Sequence, residues 1–332
     1  MSDSVVVRSA RPEDHEEVLA LLATALGWDA DEGLPEYFTW KHRTNPLGPS
    51  PEWVAEVDGR IAGFRTFLRW EFEDATGRRH RAVRAVDTAT HPDFRGRGIF
   101  RDLTLGAVAA MTADGIDFVF NTPNDQSRPG YLKMGWHAVG RLPTAVRPTG
   151  VRGAARLLGA RVAAERRPLA DGGGASATDL LADARLDDLL ARIAPPTGLR
   201  THRTAAHLRW RYGHPPLGYR AVAVGDDPAA GIAVYRVRRR GTAREAALCR
   251  VGGPGTPRCR PRDRRRRRPP GRRRAAHRRA AGRPPRPRHL PHRIGSACRL
   301  RSRAPARTGT HVARPRRPRS APAPRGLGSR AR

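Results

Sequence analysis

His91-Pro92-Asp93-Phe94-Arg95-Gly96-Arg97-Gly98-Ile99-Phe100 lies between a strand-like stretch, 82–90, and a helix-like one. In the latter, Phe100, Leu103, Ala107 and Met111 recur on one face until Asp114-Gly115 stops the run. A glycine turn feeding a helix points several backbone N–H groups in one direction. The helix dipole adds partial positive charge, so a diphosphate can bind there without a metal. Glycine suits the position because a Cβ would block the phosphate oxygens or the backbone angles required. Arg95 and Arg97 can add charge-assisted contacts. Two rival phosphate loops fit worse: a dinucleotide fingerprint needs glycine at 101, where Arg101 stands, and a P-loop needs Gly-Lys-Ser/Thr, which is absent. The bland alternative is a turn that happens to hold two glycines.

Upstream, residues 5–7 read as a short strand, and Pro12 opens a helix whose first turn carries Glu13, Asp14, Glu16 and Glu17. Val18, Leu19, Leu22, Ala25 and Leu26 keep helical spacing, and Gly27 ends it. A second short helix is expected over 35–43. Strands over 53–57 and 61–70 are joined by Asp58-Gly59, a hairpin dipeptide, and Gly77 marks the next reversal. Downstream, 116–121 reads as another strand. Strand, helix and strand in that order need a parallel crossover after an antiparallel meander, so the fold class is α/β with a mixed sheet.

The next segment is Asn124-Asp125-Gln126-Ser127-Arg128-Pro129-Gly130-Tyr131-Leu132-Lys133-Met134-Gly135-Trp136. With it, residues 5–142 resemble the GNAT superfamily of acyl-CoA-dependent N-acyltransferases. That family's diphosphate motif, Arg/Gln-x-x-Gly-x-Gly/Ala, is met by Arg95 and Gly98, with Phe100 in the last place. Its following motif is met by Asn124, Ser127, Tyr131, Lys133, Gly135 and Trp136. The resemblance implies acetyl-CoA or another acyl-CoA as cosubstrate, held by Arg95, Gly96, Arg97, Gly98, Ile99 and Phe100. It implies that strands 82–90 and 116–121 splay apart around the pantetheine arm. Backbone groups near Val86, Thr88 and Thr90 would then hold that arm, one of them as an oxyanion donor. Asn124 would face the cofactor, and Ser127 would cap the next helix or touch the pantetheine.

In the implied reaction a primary amine attacks the thioester directly, and Tyr131 matches the general acid that protonates the leaving thiolate. Its structural alternative is a tyrosine packed beside the sheet. An amine of pKa about 10 must lose a proton at a cost of roughly 4 kcal/mol at pH 7. Asp87 and His91 are the candidate bases, and for Asp87 a carboxylate tied to backbone or arginine is an equal reading. Glu32 and Glu36 can meet a cationic substrate or be ordinary exposed acids. No metal-ligand set is read from the sequence, and the acceptor amine is not specified.

Residues 1–143 are expected to form the first module, 144–177 a linker, and 178–251 a partial second GNAT-like module. In the last, Leu181, Ala184, Leu189 and Ile193 predict a helix that ends before Pro195-Pro196. Trp40-Lys41 followed by Pro46-Leu47-Gly48 reappears as Trp210-Arg211 followed by Pro216-Leu217-Gly218, and each copy leads into strand, turn and strand. The two tryptophans are expected in the core rather than at a substrate.

The chain has 64 Lys+Arg against 31 Asp+Glu, a net charge of +33. Residues 252–332 hold 28 arginines and one acid, Asp263, giving +27 and leaving 33 − 27 = +6 for residues 1–251. This tail contains no aromatic residue, so it lacks single-strand stacking platforms. Its composition predicts disorder. It reads either as a basic arm for nucleic acid or as the product of a frameshift after residue 251, since the residue types left are those of GC-rich codons. A silent GNAT-shaped module is the remaining alternative function. Cys249, Cys259 and Cys298 have neither zinc nor redox spacing, and with no signal peptide or apolar run of about 18 residues the expectation is a cytoplasmic protein with no membrane partner.

Overall fold

The computed structural model describes residues 4–27, 33–142, 145–160, 162–169, 172–253 and 309–313. In chain order its elements begin β1 (Val6–Ser9), α1 (His15–Leu26), α2 (Gly33–His42), β2 (Glu52–Val57), β3 (Arg60–Glu73) and β4 (Arg79–Thr90). Then come α3 (Ile99–Ala113), β5 (Phe118–Asn121), α4 (Arg128–Lys133), β6 (His137–Arg141), α5 (Gly150–Gly159), β7 (Ala175–Ser176), α6 (Ala177–Ala182) and α7 (Arg185–Ala191). The last are β8 (Arg200–Thr201), α8 (Ala205–Tyr212), β9 (Tyr219–Val224), β10 (Asp227–Arg240), β11 (Ala243–Val251) and β12 (Gly309–Ala313). The described residues group into two compact units: those of 4–142 with 195–214 and 309–313, and those of 145–194 with 215–253.

The first unit is built on a mixed sheet in the order β1-β2-β3-β4-β5-β12-β6, with β8 added to β3. Local chemistry sets its ends. Gly27 closes α1 at φ 59°, and Asp58 (φ 49°) with Gly59 (φ 76°) makes the left-handed turn of the β2–β3 hairpin. Arg8 on β1 ties the sheet edge to the helix start, pairing with Asp14 at 2.7 Å and with Glu56 at 2.9 Å. The sheet has two packed faces. Trp53, Ala55, Phe67 and Val83 meet Ile99, Leu103 and Met111 of α3 on one. Val54, Ile61 and Phe64 meet Val18 and Leu22 of α1 and Phe38 of α2 on the other. The close seat of α3 needs Gly63, where a Cβ would stand 2.5 Å from Ile99 Cγ2.

Two irregularities in β4 prepare the ground for a site. Its pairing with β3 slips between Phe64↔Ala89 and Thr66↔Val86, a bulge at which Asp87 adopts φ 44°. Its parallel pairing with β5 covers Ala82↔Phe118 to Arg84↔Phe120, and among the described residues the rest of β4 has no partner on that side. The mixed sheet expected from the strand–helix–strand order is therefore present, and β4 runs on to Thr90 past the end of β5 at Asn121.

The second unit carries a sheet in the order β7-β9-β10-β11. β9 and β10 have 6 and 14 residues, the lengths of β2 and β3. A left-handed turn at Gly225 (φ 58°) and Asp226 (φ 61°) joins them. Three expectations differ from the structure. The helix expected within 178–193 is two helices, because Asp183 is extended (ψ 131°) and its carboxylate accepts from the backbone N–H of Arg185 at 2.9 Å, starting α7 anew. The expected linker 144–177 contains α5 and β7. Most of the tail expected to be disordered lies outside the described residues, but Gly309–Ala313 of it forms β12, paired with β5 and β6.

Candidate active site

The glycine turn stands where the sequence puts it. Gly96 (φ 81°) and Gly98 (φ 80°) are both left-handed, and Gly98 is the N-cap of α3. No atom lies within 4 Å of a Cβ built on Gly96, so backbone angle rather than space requires glycine there. Arg95, Gly96, Arg97 and Gly98 are exposed, Ile99 is buried beneath them and Phe100 is half-buried. In the first turn of α3 the N–H groups of Arg101 and Asp102 donate to the Gly98 carbonyl at 2.9 and 3.1 Å, so among the described residues those of Ile99 and Phe100 are the ones ahead of the first helical bond, as at any helix N-terminus. Arg97 stacks over Phe94, its Cζ 5.1 Å from the ring centre.

Phe100, the departure from the family's small residue, is accommodated by Gly130. A Cβ at Gly130 would stand 3.0 Å from Phe100 Cε1, so the ring lies against a bare stretch of α4. It meets Tyr131 edge-on, centroids 5.3 Å apart, and Tyr131 in turn meets Trp136 at 5.4 Å. Tyr131 is buried. Asn124 and Ser127 are engaged locally: Asn124 Oδ1 accepts from both the backbone N–H and the hydroxyl of Ser127 at 2.9 Å, which shapes the entry into α4. Val86, Thr88 and Thr90 all lie on β4 beyond the point where β5 leaves it. The structure thus brings the glycine turn, the free reach of β4 and Tyr131 around one parting of strands.

Asp87 points to the opposite face. Its Oδ2 accepts from Lys41 Nζ at 2.5 Å and lies 2.8 Å from His42 Nε2. Burial pushes its pKa up, but the Lys41 charge and the His42 contact outweigh that and hold it at about 2. A carboxylate that acidic accepts a proton poorly. His42 is fully buried, and burial lowers its pKa against the opposing pull of Asp87. Since ionised Asp87 can only accept, Nε2 of His42 carries the hydrogen, and Nδ1 is left to accept from the Ser50 hydroxyl 3.0 Å away. His91 caps the short turn before the glycines, its Nδ1 accepting from Asp93 N at 3.4 Å. Glu36 is exposed, and Glu32 lies outside the described residues.

Three residues escaped the sequence reading. Arg65 on β3 is wholly buried, donates to Thr88 Oγ1, and has Nε and Nη2 without an acceptor among the described residues. Asn121 at the end of β5 is buried with Oδ1 unpartnered among those residues. Burial raises the Glu52 pKa to about 7 despite its 3.0 Å pair with Arg43. An arginine inside the apolar run 61–68 was the one legible sign among them.

Trp210 is buried as expected and Trp40 only half-buried, and the two pack reciprocally. Each indole Nε1–H donates to the other's backbone carbonyl, at 2.9 and 2.8 Å, with rings stacked 5.9 Å apart. Among the described residues no cluster of three or more His, Cys, Asp or Glu is placed to hold a metal, and no helix is long and apolar enough to cross a membrane.

A sheet of this order, with α3 rising from a glycine turn at the parting of two parallel strands, defines the mixed α/β fold of the N-acyltransferase type. Residues 6–139 match the family model of the GNAT acetyltransferase domain. A comparison with curated proteins found no match. Among solved structures, an Enterococcus faecalis protein described as a probable N-acyltransferase is similar at 13% identity and TM-score 0.46, covering 70% of this chain and 55% of its own. A GCN5-related N-acetyltransferase from Kribbella flavida is similar at 15% identity and TM-score 0.44, covering 76% of this chain and 58% of its own. A GNAT family N-acetyltransferase from Escherichia coli, solved in complex with CoA, is similar at 20% identity and TM-score 0.34, covering 42% of this chain and 71% of its own. The chain spans little more than half the length of the first two.

Proposed function

We propose that the first unit is an N-acyltransferase that moves an acetyl or similar acyl group from acyl-CoA to a primary amine. The observation that carries this is the parting of β4 from β5 beyond Arg84, with the glycine turn at Gly96 and Gly98 on one flank and Tyr131 on the other. The diphosphate sits on the N–H groups of residues 96–100, with Arg95 and Arg97 beside it. The pantetheine arm takes the unpaired edge of β4 near Val86, Thr88 and Thr90, and Asn121 Oδ1 accepts one of its amide hydrogens. CoA complexes of GNAT proteins such as the Escherichia coli one support this reading of the cosubstrate.

The amine nitrogen attacks the thioester carbonyl, the C–S bond breaks, and the sulfur takes a proton from the Tyr131 hydroxyl. The attacking ammonium releases two protons in all, one of which restores Tyr131. The acceptor approaches from the α2 face, where Asp87 supplies negative charge and holds Lys41 and His42 rather than taking the proton. Glu52, at about 7, has the proton affinity that amine deprotonation near neutral pH requires, through water. The repeated order of β7, β9, β10 and β11 supports reading the second unit as a partial copy of the first.

Isothermal titration of the chain with CoA and acetyl-CoA, followed by thiol release with a panel of amines, tests the reading. Micromolar binding and turnover that falls in Tyr131→Phe are expected. A folded chain that binds no CoA overturns it.

A further inference from the structure

β3 runs Arg60-Ile61-Ala62-Gly63-Phe64-Arg65-Thr66-Phe67-Leu68, and Arg65 is the one charge in its buried centre. Its exposure is 0%, and among the described residues no carboxylate pairs with its guanidinium. Nη1 donates to Thr88 Oγ1 at the bulge of β4. The rings of Phe67, Tyr131 and Phe100 have their centres 4.8, 5.3 and 5.6 Å from Cζ. Phe100 and Trp136 also touch Tyr131, with ring centres 5.3 and 5.4 Å away. One cation and two rings thus hold the phenol.

A buried charge that meets only a hydroxyl and rings is costly, and the rings offset just part of that cost. An apolar side chain of similar length would fill the space without it. Stability therefore gives no reason for arginine at this position, but its contacts do. One hydrogen bond ties it to the stretch of β4 proposed for the pantetheine arm, and its charge lies over the ring of the proposed acid. That charge matters at one step. When the Tyr131 O–H bond breaks and the S–H bond forms, the electron pair stays on the phenol oxygen and spreads partly into the ring. A cation already in place and shut off from water attracts the phenolate without reorganising.

We infer that Arg65 is the positioning residue of the proton donor: bonded to Thr88 and packed on Phe100 and Tyr131, it fixes the phenol relative to the β4 bulge, and its charge stabilises the phenolate left when the thiolate is protonated. A proton released by the attacking amine then restores the phenol. Phe100 touches both Arg65 and Tyr131 and so closes the set. The inference rests on the acyltransferase reading above, and on Tyr131 in particular.

The test measures thiol release from acetyl-CoA by the full chain with two nucleophiles: hydroxylamine, small and uncharged at neutral pH, and the best amine of the panel. It compares wild type, Arg65→Met, Arg65→Lys, Tyr131→Phe and the double variant Arg65→Met/Tyr131→Phe, each checked for folding by circular dichroism. Arg65→Met is expected to lower kcat roughly 10–100-fold, less than a directly bonded oxyanion donor contributes. Its KM for acetyl-CoA should stay within about threefold of wild type, since the loss falls on the transition state. In the Tyr131→Phe background the same change should cost no more than about twofold, because the donor it serves is gone. Arg65→Lys, which keeps the charge, should recover part of the rate. Losses that multiply in the double variant overturn the inference and leave the acyltransferase reading intact. So does a folded Arg65→Met with wild-type kcat, or a folded Arg65→Lys no faster than Arg65→Met. Should Arg65→Met not fold, the cycle is run with Arg65→Gln, and failure of both to fold makes Arg65 a structural residue and overturns the inference. CoA binding without thiol release to either nucleophile removes Tyr131 as donor and the inference with it; no binding of CoA removes the acyltransferase reading as well.

Discussion

In the first unit a six-residue strand, a left-handed turn at Asp58 and Gly59, and a fourteen-residue strand lead into β4; in the second, strands of the same lengths flank Gly225 and Asp226 and lead into β11. The third strands then diverge. β11 pairs with β10 without a slip from Ile232↔Val251 to Arg240↔Ala243, whereas β4 slips opposite Arg65 and turns Asp87 to one face and Thr88 toward the other. A meander is thus reusable as scaffold, because alternation and a two-residue turn suffice to build it. The proposed chemistry rests on the slip between β3 and β4, the glycine turn and α4, whereas the slip in the second unit lies between β9 and β10, at Asp227 and Ile232.

The sharpest way to break this contrast is Tyr131→Phe. A lone phenol supplying a proton to the leaving thiolate should be worth about 10²–10⁴ in kcat, with CoA affinity unchanged. Unchanged turnover would leave Tyr131 as a packing residue beside Phe100.

A smaller effect concerns α8. His207 is buried against Trp70, and burial lowers its pKa to about 4. Its folded pKa lies below the unfolded value of 6.5, so the unfolded chain binds the extra proton between the two. Stability contributed by the neutral imidazole is full above pH 6.5 and is lost as pH falls toward 4, by about 3 kcal/mol. Urea melts at pH 7 and 4.5 should show most of this loss for wild type. If His207→Phe loses as much, His207 is not its source. The Asp87 contribution sets in at lower pH, disappearing between 3.8 and about 2.

Glycine substitutions sharpen the comparison further. Gly98→Ala and Gly225→Ala each force a side chain into a left-handed conformation, costing about 1–2 kcal/mol. Both should lower the melting temperature, but only Gly98→Ala should weaken CoA binding. Equal CoA affinities in the two variants would mean that the turn before α3 is only a turn.

The smallest effect is expected at the paired tryptophans. Trp40→Phe and Trp210→Phe each remove one indole-to-carbonyl bond, worth about 1 kcal/mol, and the double variant should show coupling of about 0.5–1 kcal/mol from the lost stacking. A rise in amine KM without a change in stability would instead make Trp40 a substrate contact.

Much of this was legible because it is local. Gly96 and Gly98 announce positive φ, Asp58-Gly59 announces a hairpin, and Asn124 to Trp136 keep a spacing that only α4 and its exit turn explain. The role of Asp87 was not legible, because its pKa is set by Lys41 and His42, forty-five and more positions away in sequence. Nor was the break at Asp183, where one carboxylate starts a new helix inside an unbroken apolar pattern.

The order of residues alone determined the mixed sheet and the glycine turn before α3, since each follows from dihedral preference or from periodicity within a few neighbours, while the expected role of Tyr131 came from the resemblance of residues 124–136 to a family motif. Only the tertiary structure decided what meets across that sheet: Gly130 yielding to Phe100, Asp87 bound on the α2 face, and Arg65 sealed among rings with one edge unfilled. Burial and electrostatics act through space, and the distances they depend on are created only when distant strands and helices pack.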